Sequence, residues 1–554
     1  METTNESASL QQAPLKKKIS FFAAILVVMG SSIGAGIFFK AKGVLENSQS
    51  SFVMAIFSWI IAAVAVMAMA LALIEVASVR NDNLSLIGWT KVFNGRTTYK
   101  ATKNFMFYIY LPLTYFFMPL YVIMSLQDGL GALINADGTA LTIGTNVDWL
   151  IWTIVGLAIS SYFIVVAGWS AKAGDIQNKL VTYIKFIPLA MVVILGITLV
   201  GMNASGVNNI NSGFKPPMIN DTVQDSLAAG ATINQMVPAM GMGLAISGIF
   251  FAYDGFYVAS GIQSEMANPK KTPMAIVIGL LATTVIYLAI AIAMSLNGGD
   301  VFAMQDFMKQ AFGDQAGRII FGIINLMIAI GVLGIINGFA MWAPRFTEDL
   351  IKAGELPFSF KYKHYLNENK PKVGIIYSFA ITLPIVVIFT LIGALAYIDT
   401  GNYGDGYGSK MAQLYSFADL MGTWTALFTF GFIMMAIAGA YRNRKTNLIK
   451  TEQKRYFKAA AIVSIIAITL ALAITVLAPF LDLMLISQIN LDLVELAKRN
   501  YQELVVSRVM LVITFMIFVA LSYGITIIED QINIRHFGSL AKYQEWHQEH
   551  FVTV

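Results

Sequence analysis

The feature that most constrains how this chain can fold is a series of apolar stretches, each long enough to cross a lipid bilayer. About 20 predominantly apolar residues form a helix that spans the hydrocarbon core. Hydrophobic residues make up 57% of the 554 residues and charged residues only 12%, roughly half the charge of a soluble domain. The sequence therefore predicts an all-α polytopic membrane protein with 12 transmembrane helices. These spans are expected at 19–39, 52–79, 102–126, 149–168, 177–201, 236–262, 274–296, 316–342, 373–397, 411–440, 457–482 and 504–529.

The distribution of Lys and Arg predicts the orientation of the spans. Loops on the cytoplasmic side of a membrane carry an excess of these residues. Lys16, Lys17 and Lys18 precede the first span, whereas the loop after span 3 contains neither Lys nor Arg. Both termini are therefore expected in the cytoplasm, in a multi-pass protein of the cell (plasma) membrane. The net charge of +5 follows from this topology, and no binding of nucleic acid is inferred from it.

A cluster of glycines interrupts the first span. Gly30, Gly34 and Gly36 lie close together within it, and each glycine weakens a helix by roughly 1 kcal/mol relative to alanine. Backbone groups released from a helix in the bilayer need another partner, because water is absent there. Released amides can bind an anion, and released carbonyls can bind a cation. The alternative is that the glycines allow helices to pack closely.

An acid beside a glycine, Asp254-Gly255, interrupts the sixth span. An Asp at membrane depth costs about 3 kcal/mol on insertion scales, which makes it a functional candidate. The two interrupted spans are five apart, and each is followed by one unbroken span and a polar connection, at 83–93 and 301–310. Because five is odd, the second set of spans enters the membrane from the other side. The pattern predicts an inverted repeat with a binding site between the broken spans 1 and 6, and it favours binding over packing as the reason for the breaks.

The predicted organisation has six parts. A cytoplasmic N-terminal tail is followed by a first five-helix repeat, an extracellular loop and a second five-helix repeat, and then by spans 11 and 12 and a cytoplasmic C-terminal tail. In this order the parts cover 1–18, 19–201, 202–235, 236–440, 441–530 and 531–554.

Three motifs, in this order along the chain, make it resemble the amino acid permeases of the amino acid–polyamine–organocation superfamily. The first motif runs from Gly30 to Phe38, and the second runs from Phe250 to Gly255 and continues through Glu265 to the segment 268–273. The third motif consists of Asn337, Arg345, Gly354, Leu356 and Pro357. The resemblance covers residues 19–440, and spans 11 and 12 are the usual addition.

This resemblance implies the leucine-transporter-like 5+5 inverted repeat and secondary transport of α-amino acids by alternating access. One departure is Ser264-Glu265, where the family usually has a pair of Glu residues. Carried over by position, the amides near Ala35 and Gly36 receive the substrate carboxylate, and carbonyls in both breaks receive its ammonium. Phe251 stands where the family places an aromatic lid over the substrate, and ordinary core packing is the alternative. The implied substrate-binding residues are Ser32, Gly34, Ala35, Gly36, Phe251, Ala252, Asp254 and Gly255.

Lys185 in span 5 is the candidate for coupling transport to protons. A lysine that loses its hydration releases its proton more readily, and some family members place a span 5 lysine where sodium-coupled relatives bind a cation. The stretch from Arg318 to Trp342 in span 8 contains no Ser or Thr, so it lacks hydroxyl ligands for sodium. The alternative is that Lys185 snorkels to the headgroups. Glu75 and Asp419 are weaker candidates for a functional role.

Other chemistries find no support in the sequence. The chain contains no cysteine, which excludes disulfides and iron–sulfur clusters. The histidines lie outside the predicted spans, and no phosphate-binding GxxxxGK[ST] motif occurs. We therefore expect no cofactor, no metal and no enzymatic activity. The expected partners are an amino acid substrate, the lipid bilayer and, for coupled transport, protons. The alternatives to a transporter are a membrane receptor that senses an amino acid without transporting it and a channel.

Overall fold

The computed structural model describes residues 20–34, 36–79, 84–135, 137–206, 222–257, 268–367, 370–397, 399, 403–496 and 500–551. Over these residues the regular elements are helices, and no strand is formed. The α-helical elements are α1 Phe21–Ser32, α2 Gly36–Asn47, α3 Phe52–Ala77, α4 Leu86–Phe93, α5 Arg96–Ile134, α6 Asp148–Trp169, α7 Ala171–Gly201, α8 Val223–Ala228, α9 Ile233–Met236, α10 Pro238–Ala252, α11 Thr272–Ser295, α12 Met304–Phe312, α13 Asp314–Lys352, α14 Ser359–Tyr362, α15 Lys372–Ala396, α16 Met411–Thr446, α17 Phe457–Gln488, α18 Leu491–Leu496, α19 Tyr501–Phe537 and α20 Leu540–His550.

Ten of these helices are long and apolar enough to cross a membrane, counted over the described part of the chain. They are α3, α5, α6, α7, α11, α13, α15, α16, α17 and α19, and each coincides with one predicted span. The predicted spans 1 and 6 contain the shorter apolar helices α1 and α10 instead. Several helices extend beyond the predicted bounds, because a helix can continue into the polar interface once its apolar stretch has ended.

Local sequence explains where the two short helices end. The helix α1 stops at Ser32, Ile33 is extended, and α2 begins at Gly36. The helix α10 begins with Pro238 in its first turn, a position that has no intrahelical acceptor for an amide and therefore tolerates proline. It ends at Ala252, and Gly255 follows with a φ of +96°, which side chains rarely allow.

Helices α1 and α2 have different main packing partners. Helix α1 lies against α11, whereas α2 lies mainly against α10 and makes fewer contacts with α11. A Cβ atom on Gly36 would lie 2.8 Å from the Cα of Ala252, which is too close for any side chain. Glycine is therefore required at position 36 by helix packing alone, whether or not a ligand binds there.

A buried ionic cluster ties the start of α5 to the segment after α13 and to α19. Glu355 is 7% exposed; its carboxylate accepts from Lys100 Nζ at 2.6 Å, and its carbonyl accepts from Lys103 Nζ at 3.0 Å. Lys103 also pairs with Glu529 at 2.9 Å. Burial by itself raises the pKa of a carboxyl group, but Lys100 and Lys103 outweigh this effect and hold the pKa of Glu355 at about 2.

Part of the predicted C-terminal tail is the helix α20, which packs on the segment after α13. Trp546 contacts Phe360 with ring centroids 5.5 Å apart, and Lys363 Nζ donates to the carbonyl of His550 at 2.7 Å. Gly354 has a φ of +72°, and a Cβ atom there would lie 2.8 Å from the ring of Phe551. The tail therefore covers the same segment that contains Glu355.

We expect Glu355→Gln to lower the free energy of unfolding by about 3 kcal/mol at pH 7, because it leaves the largely buried ammonium of Lys100 without its carboxylate. The folded pKa of Glu355 is about 2, below the ordinary value of 4.5. The contribution of the wild-type carboxylate is therefore complete above pH 4.5 and is lost as the pH falls towards 2. Thermal unfolding of the purified protein in detergent measures the difference.

The matched control is Asp175→Asn, which removes the carboxylate of an exposed pair with Lys179 and should change the free energy of unfolding by less than about 0.5 kcal/mol. Equal effects of the two substitutions would show that the cluster around Glu355 does not stabilise the fold.

Candidate functional site

The ends of three short helices, α1, α2 and α10, lie close together. Helix α2 begins at Gly36, next to Phe251 and Ala252 at the end of α10, and α1 ends at Ser32. The first amides of a helix lack intrahelical acceptors and carry partial positive charge, and the last carbonyls carry partial negative charge. The arrangement therefore offers opposite partial charges at one place.

Tyr287 of α11 connects the two breaks. Its hydroxyl lies 2.8 Å from the carbonyl oxygens of both Ser32 and Ala252, which share its single hydrogen. Two of the carbonyls predicted for the substrate ammonium therefore share one donor from the protein. The carbonyl of Phe251 accepts from the amide of Asp254 at 3.2 Å.

The ammonium of Lys185 lies at the first break. Lys185 Nζ donates to the carbonyl of Gly30 at 2.8 Å and to that of Ile33 at 3.3 Å. It borders a small cleft in which the wall formed by α13 is apolar. The residues that line the cleft are Ile33, Gly34, Phe38, Lys185, Pro188, Met327, Ile328, Gly331 and Val332.

A buried ion pair lies one helical turn beyond Gly36. Lys40 Nζ is 2.7 Å from Asp419 Oδ1 of α16, and it also donates to Thr423 Oγ1 at 2.7 Å. The hydroxyl of Tyr121 in α5 donates to the same carboxylate oxygen at 2.6 Å. The Lys40 side chain is only 4% exposed and that of Asp419 is 27% exposed. This cluster links α2, α5 and α16 through charge-assisted hydrogen bonds.

The ring of Phe251 is enclosed by this cluster. Lys40 Nζ lies 4.7 Å from the ring centroid, within the range of a cation–π interaction. The rings of Phe117 and Tyr121 lie 5.7 Å and 6.0 Å away. On the other side, a Cβ atom on Gly422 would lie 2.9 Å from the Phe251 ring. The ring is thus buried, and the interactions around it are aromatic and cationic.

Asp254 forms a second polar cluster after the end of α10. Its carboxylate accepts from the hydroxyl of Tyr110 at 3.1 Å and from the amide of Gly255 at 3.0 Å. The hydroxyls of Tyr110 and Tyr257 are also 3.1 Å apart. Within the described residues no Lys or Arg forms an ion pair with Asp254, so its partners there are neutral donors.

The structure places the predicted site residues in three groups. Ser32, Gly36, Phe251 and Ala252 come together at the helix ends, while Gly34 lies in the cleft beside Lys185. Asp254 and Gly255 lie with Tyr110. Ala35, Ser264 and Glu265, which were also singled out in the sequence, lie outside the described residues.

Glu75, one of the weaker candidates, has a structural partner. Its carboxylate pairs with Arg444, whose Nη2 lies 2.6 Å and Nε 2.7 Å from its two oxygens. It also accepts from the amide of Lys454 at 2.9 Å. Glu75 thus ties the end of α3 to the segment after α16 and does not contact the helix ends.

Sequence reasoning missed Lys40 and Tyr287. Lys40 lies just beyond the end of the first predicted span, although it is four residues after Gly36 and residues with this spacing share a helix face. That spacing is the signal that could have identified it. Tyr287 is a single aromatic residue in an apolar span, and no local pattern distinguishes it from a core residue.

The sequence of the chain matches the family model described as amino acid permease over residues 19–491. The chain belongs to the amino acid permease family. It is therefore a multi-pass membrane protein of a transporter family, and it is not an enzyme.

Three relatives illustrate how far this similarity extends. The chain is 49% identical to an uncharacterized protein of Mycoplasma pneumoniae, over 97% of this chain and 98% of that protein. It is 24% identical to the serine/threonine exchanger SteT of Bacillus subtilis, over 68% of this chain and 77% of that protein. It is 23% identical to the b(0,+)-type amino acid transporter 1 of Mus musculus, over 77% of this chain and 80% of that protein.

The ion pair between Lys40 and Asp419 should behave as a coupled unit in thermal unfolding. We expect Asp419→Asn to cost about 3 kcal/mol, because it leaves the ammonium of Lys40 buried without its counter-charge. Lys40→Met should cost less, because Asp419 is partly exposed and can be rehydrated. The double substitution should cost less than Asp419→Asn alone, since replacing both partners of a buried pair is often nearly neutral.

The control is Lys42→Met, which removes the lysine of a more exposed pair with Asp300 and should cost less than about 1 kcal/mol. Strictly additive effects of Lys40→Met and Asp419→Asn would contradict the coupling.

Proposed function

We propose that this protein is a secondary active transporter that carries α-amino acids across the cell membrane by alternating access. The observation that carries the proposal is the meeting of the α2 amides with the carbonyl ends of α1 and α10. An α-amino acid has a carboxylate and an ammonium one carbon apart, which matches these opposite partial charges. The relatives named as an amino acid transporter and a serine/threonine exchanger support this substrate class.

The proposed architecture is the leucine-transporter-like 5+5 inverted repeat, in which α1 with α2 forms span 1 and α10 begins span 6. Corresponding elements in the two halves support it. The spanning helix α3 is followed by the short helix α4, and the spanning helix α11 is followed by the short helix α12. With both termini in the cytoplasm, Lys40 and Asp419 lie on the outer side of the site and Asp254 lies on the inner side.

In this proposal the substrate carboxylate binds the amides near Ala35 and Gly36, and the ammonium binds the carbonyls of Ser32, Phe251, Ala252 or Asp254. Phe251 covers the substrate, and its enclosure by Lys40, Phe117 and Tyr121 holds the ring at the site. Asp254 has three candidate roles. It attracts a cationic side chain of the substrate, binds the substrate ammonium or transfers a proton.

Transport is proposed to be independent of sodium and to proceed either with protons or by exchange. Lys185 supports this, because its ammonium already occupies the carbonyls of Gly30 and Ile33 at the first break. The facing wall from α13 offers no hydroxyl, since Met327, Ile328, Gly331 and Val332 line the cleft there. Sodium prefers oxygen ligands, so the ammonium of Lys185 is the better fit to this cleft.

Uptake of a ¹⁴C-labelled mixture of L-amino acids into proteoliposomes tests the function and does not require a single substrate to be chosen in advance. We expect saturable uptake, which unlabelled amino acids inhibit to different extents, and loss of inhibition when the best competitor is N-acetylated or amidated. Preloaded and empty vesicles distinguish exchange from net uptake. Binding without uptake would favour an amino-acid-sensing receptor, and flux without saturation would favour a channel.

Lys185→Ala should leave binding of the best competitor measurable but remove accumulation driven by an imposed pH gradient. The physical reason is that the neutral amine of Lys185 is the group to be reprotonated in each cycle. Wild-type uptake should persist when choline replaces sodium. Lys179→Ala is the matched control, because Lys179 lies on the same helix and its only described pair is the exposed one with Asp175. Loss of wild-type uptake in choline, or unchanged pH-driven accumulation in Lys185→Ala, would overturn the coupling role.

A further inference from the structure

The hydroxyl of Tyr287 connects two helix ends by hydrogen bonding. Without it, these two ends would repel each other. The carbonyls of Ser32 and Ala252 belong to the C-terminal ends of α1 and α10, and both ends carry partial negative charge. Each carbonyl oxygen lies 2.8 Å from the Tyr287 hydroxyl. The side chain is completely buried, so no water can replace this donor.

The surroundings of Tyr287 hold its hydroxyl in place. Its ring packs edge-on against Trp59, with centroids 5.8 Å apart, and against Tyr253, with centroids 5.2 Å apart. The hydroxyl of Tyr253 is in turn 2.8 Å from that of Thr284, one turn before Tyr287 on α11. The position of the hydroxyl is thus fixed by packing on two sides.

We infer that Tyr287 is a positioning residue for the ammonium group of the substrate. This inference rests on the proposed transport of amino acids. A tyrosine hydroxyl has one hydrogen, while two carbonyl oxygens have four lone pairs, so the carbonyls of Ser32 and Ala252 retain capacity to accept. An ammonium brings three further hydrogens and can use that capacity, while the hydroxyl keeps the two oxygens at the separation that suits one ammonium.

A competing role for the hydroxyl predicts the opposite effect. If Tyr287 merely filled the place that the ammonium needs, its removal would free both carbonyls and improve substrate affinity. If it positions them, its removal leaves two buried acceptors that share no donor and move apart, and affinity falls. The direction of the change in KM therefore distinguishes the two roles.

The test compares Tyr287→Phe with Tyr415→Phe in proteoliposomes. Tyr415 is equally buried and its hydroxyl also has a partner, the side chain of Gln127, but it does not contact either break. The labelled probe is the amino acid that inhibits uptake of the labelled mixture most strongly. For Tyr287→Phe we expect KM to rise about tenfold, as for loss of a donor to buried acceptors. We expect kcat to stay within about threefold of the wild-type value. For Tyr415→Phe we expect both values to stay within about threefold of wild type.

Each other outcome has a definite meaning. A lower KM in Tyr287→Phe, or an unchanged KM with less folded protein, overturns the positioning role and leaves competition or packing in its place. If the wild-type protein shows no uptake, the proposed transport is wrong, and the inference about Tyr287 is not contradicted by that result. In that case binding of the same amino acid to the detergent-purified variants, measured by thermal shift, makes the same comparison.

Discussion

The arrangement of the helix ends depends on hydrogen-bond donors for the carbonyl groups at the ends of α1 and α10. A buried carbonyl that has no intrahelical partner needs a donor from elsewhere. The protein provides Lys185 for Gly30 and Ile33, and Tyr287 for Ser32 and Ala252. Both donors come from other helices, α7 and α11, so tertiary contacts stabilise these helix ends in addition to the local sequence.

The carbonyl ends and the amide end of these helices differ in the hydrogen-bond partners that the protein provides. The carbonyl ends have donors from side chains, whereas the start of α2 has amides for which the helix itself offers no acceptor. In the proposed function, the carboxylate of an amino acid would bind the first amides of α2. The ammonium would then add to oxygens that already accept from Tyr287.

The sequence predicts interruptions from local residue types, and α1 and α10 end near the two predicted positions. Gly30, Gly34 and Gly36 weaken a helix, and Asp254 beside Gly255 is costly in a membrane, so the breaks could be located without tertiary information. The ten long helices could also be predicted, because a long apolar stretch by itself indicates a helix that can cross a membrane. The sequence predicts that the two breaks lie close together in space only through the further observation that they are five spans apart.

The rest of the site could not be predicted, because it depends on contacts between distant segments. Asp419, which neutralises Lys40, lies 379 residues further along the chain, and Arg444, which pairs with Glu75, lies 369 residues away. Charge and hydropathy patterns do not encode such pairings. Lys40 was not predicted because the first span was expected to end at residue 39. In the structure α2 continues to Asn47, and Lys40 is buried.

The cluster around Glu355 has a consequence for the order in which its contacts form. Lys100 is synthesised 255 residues before Glu355, and Lys103 is synthesised 426 residues before Glu529. Both lysines are therefore without these carboxylate partners while the chain that follows α5 is being made. The ionic links between the start of α5, the segment after α13 and α19 form only when all three segments exist, so they cannot stabilise α5 before then.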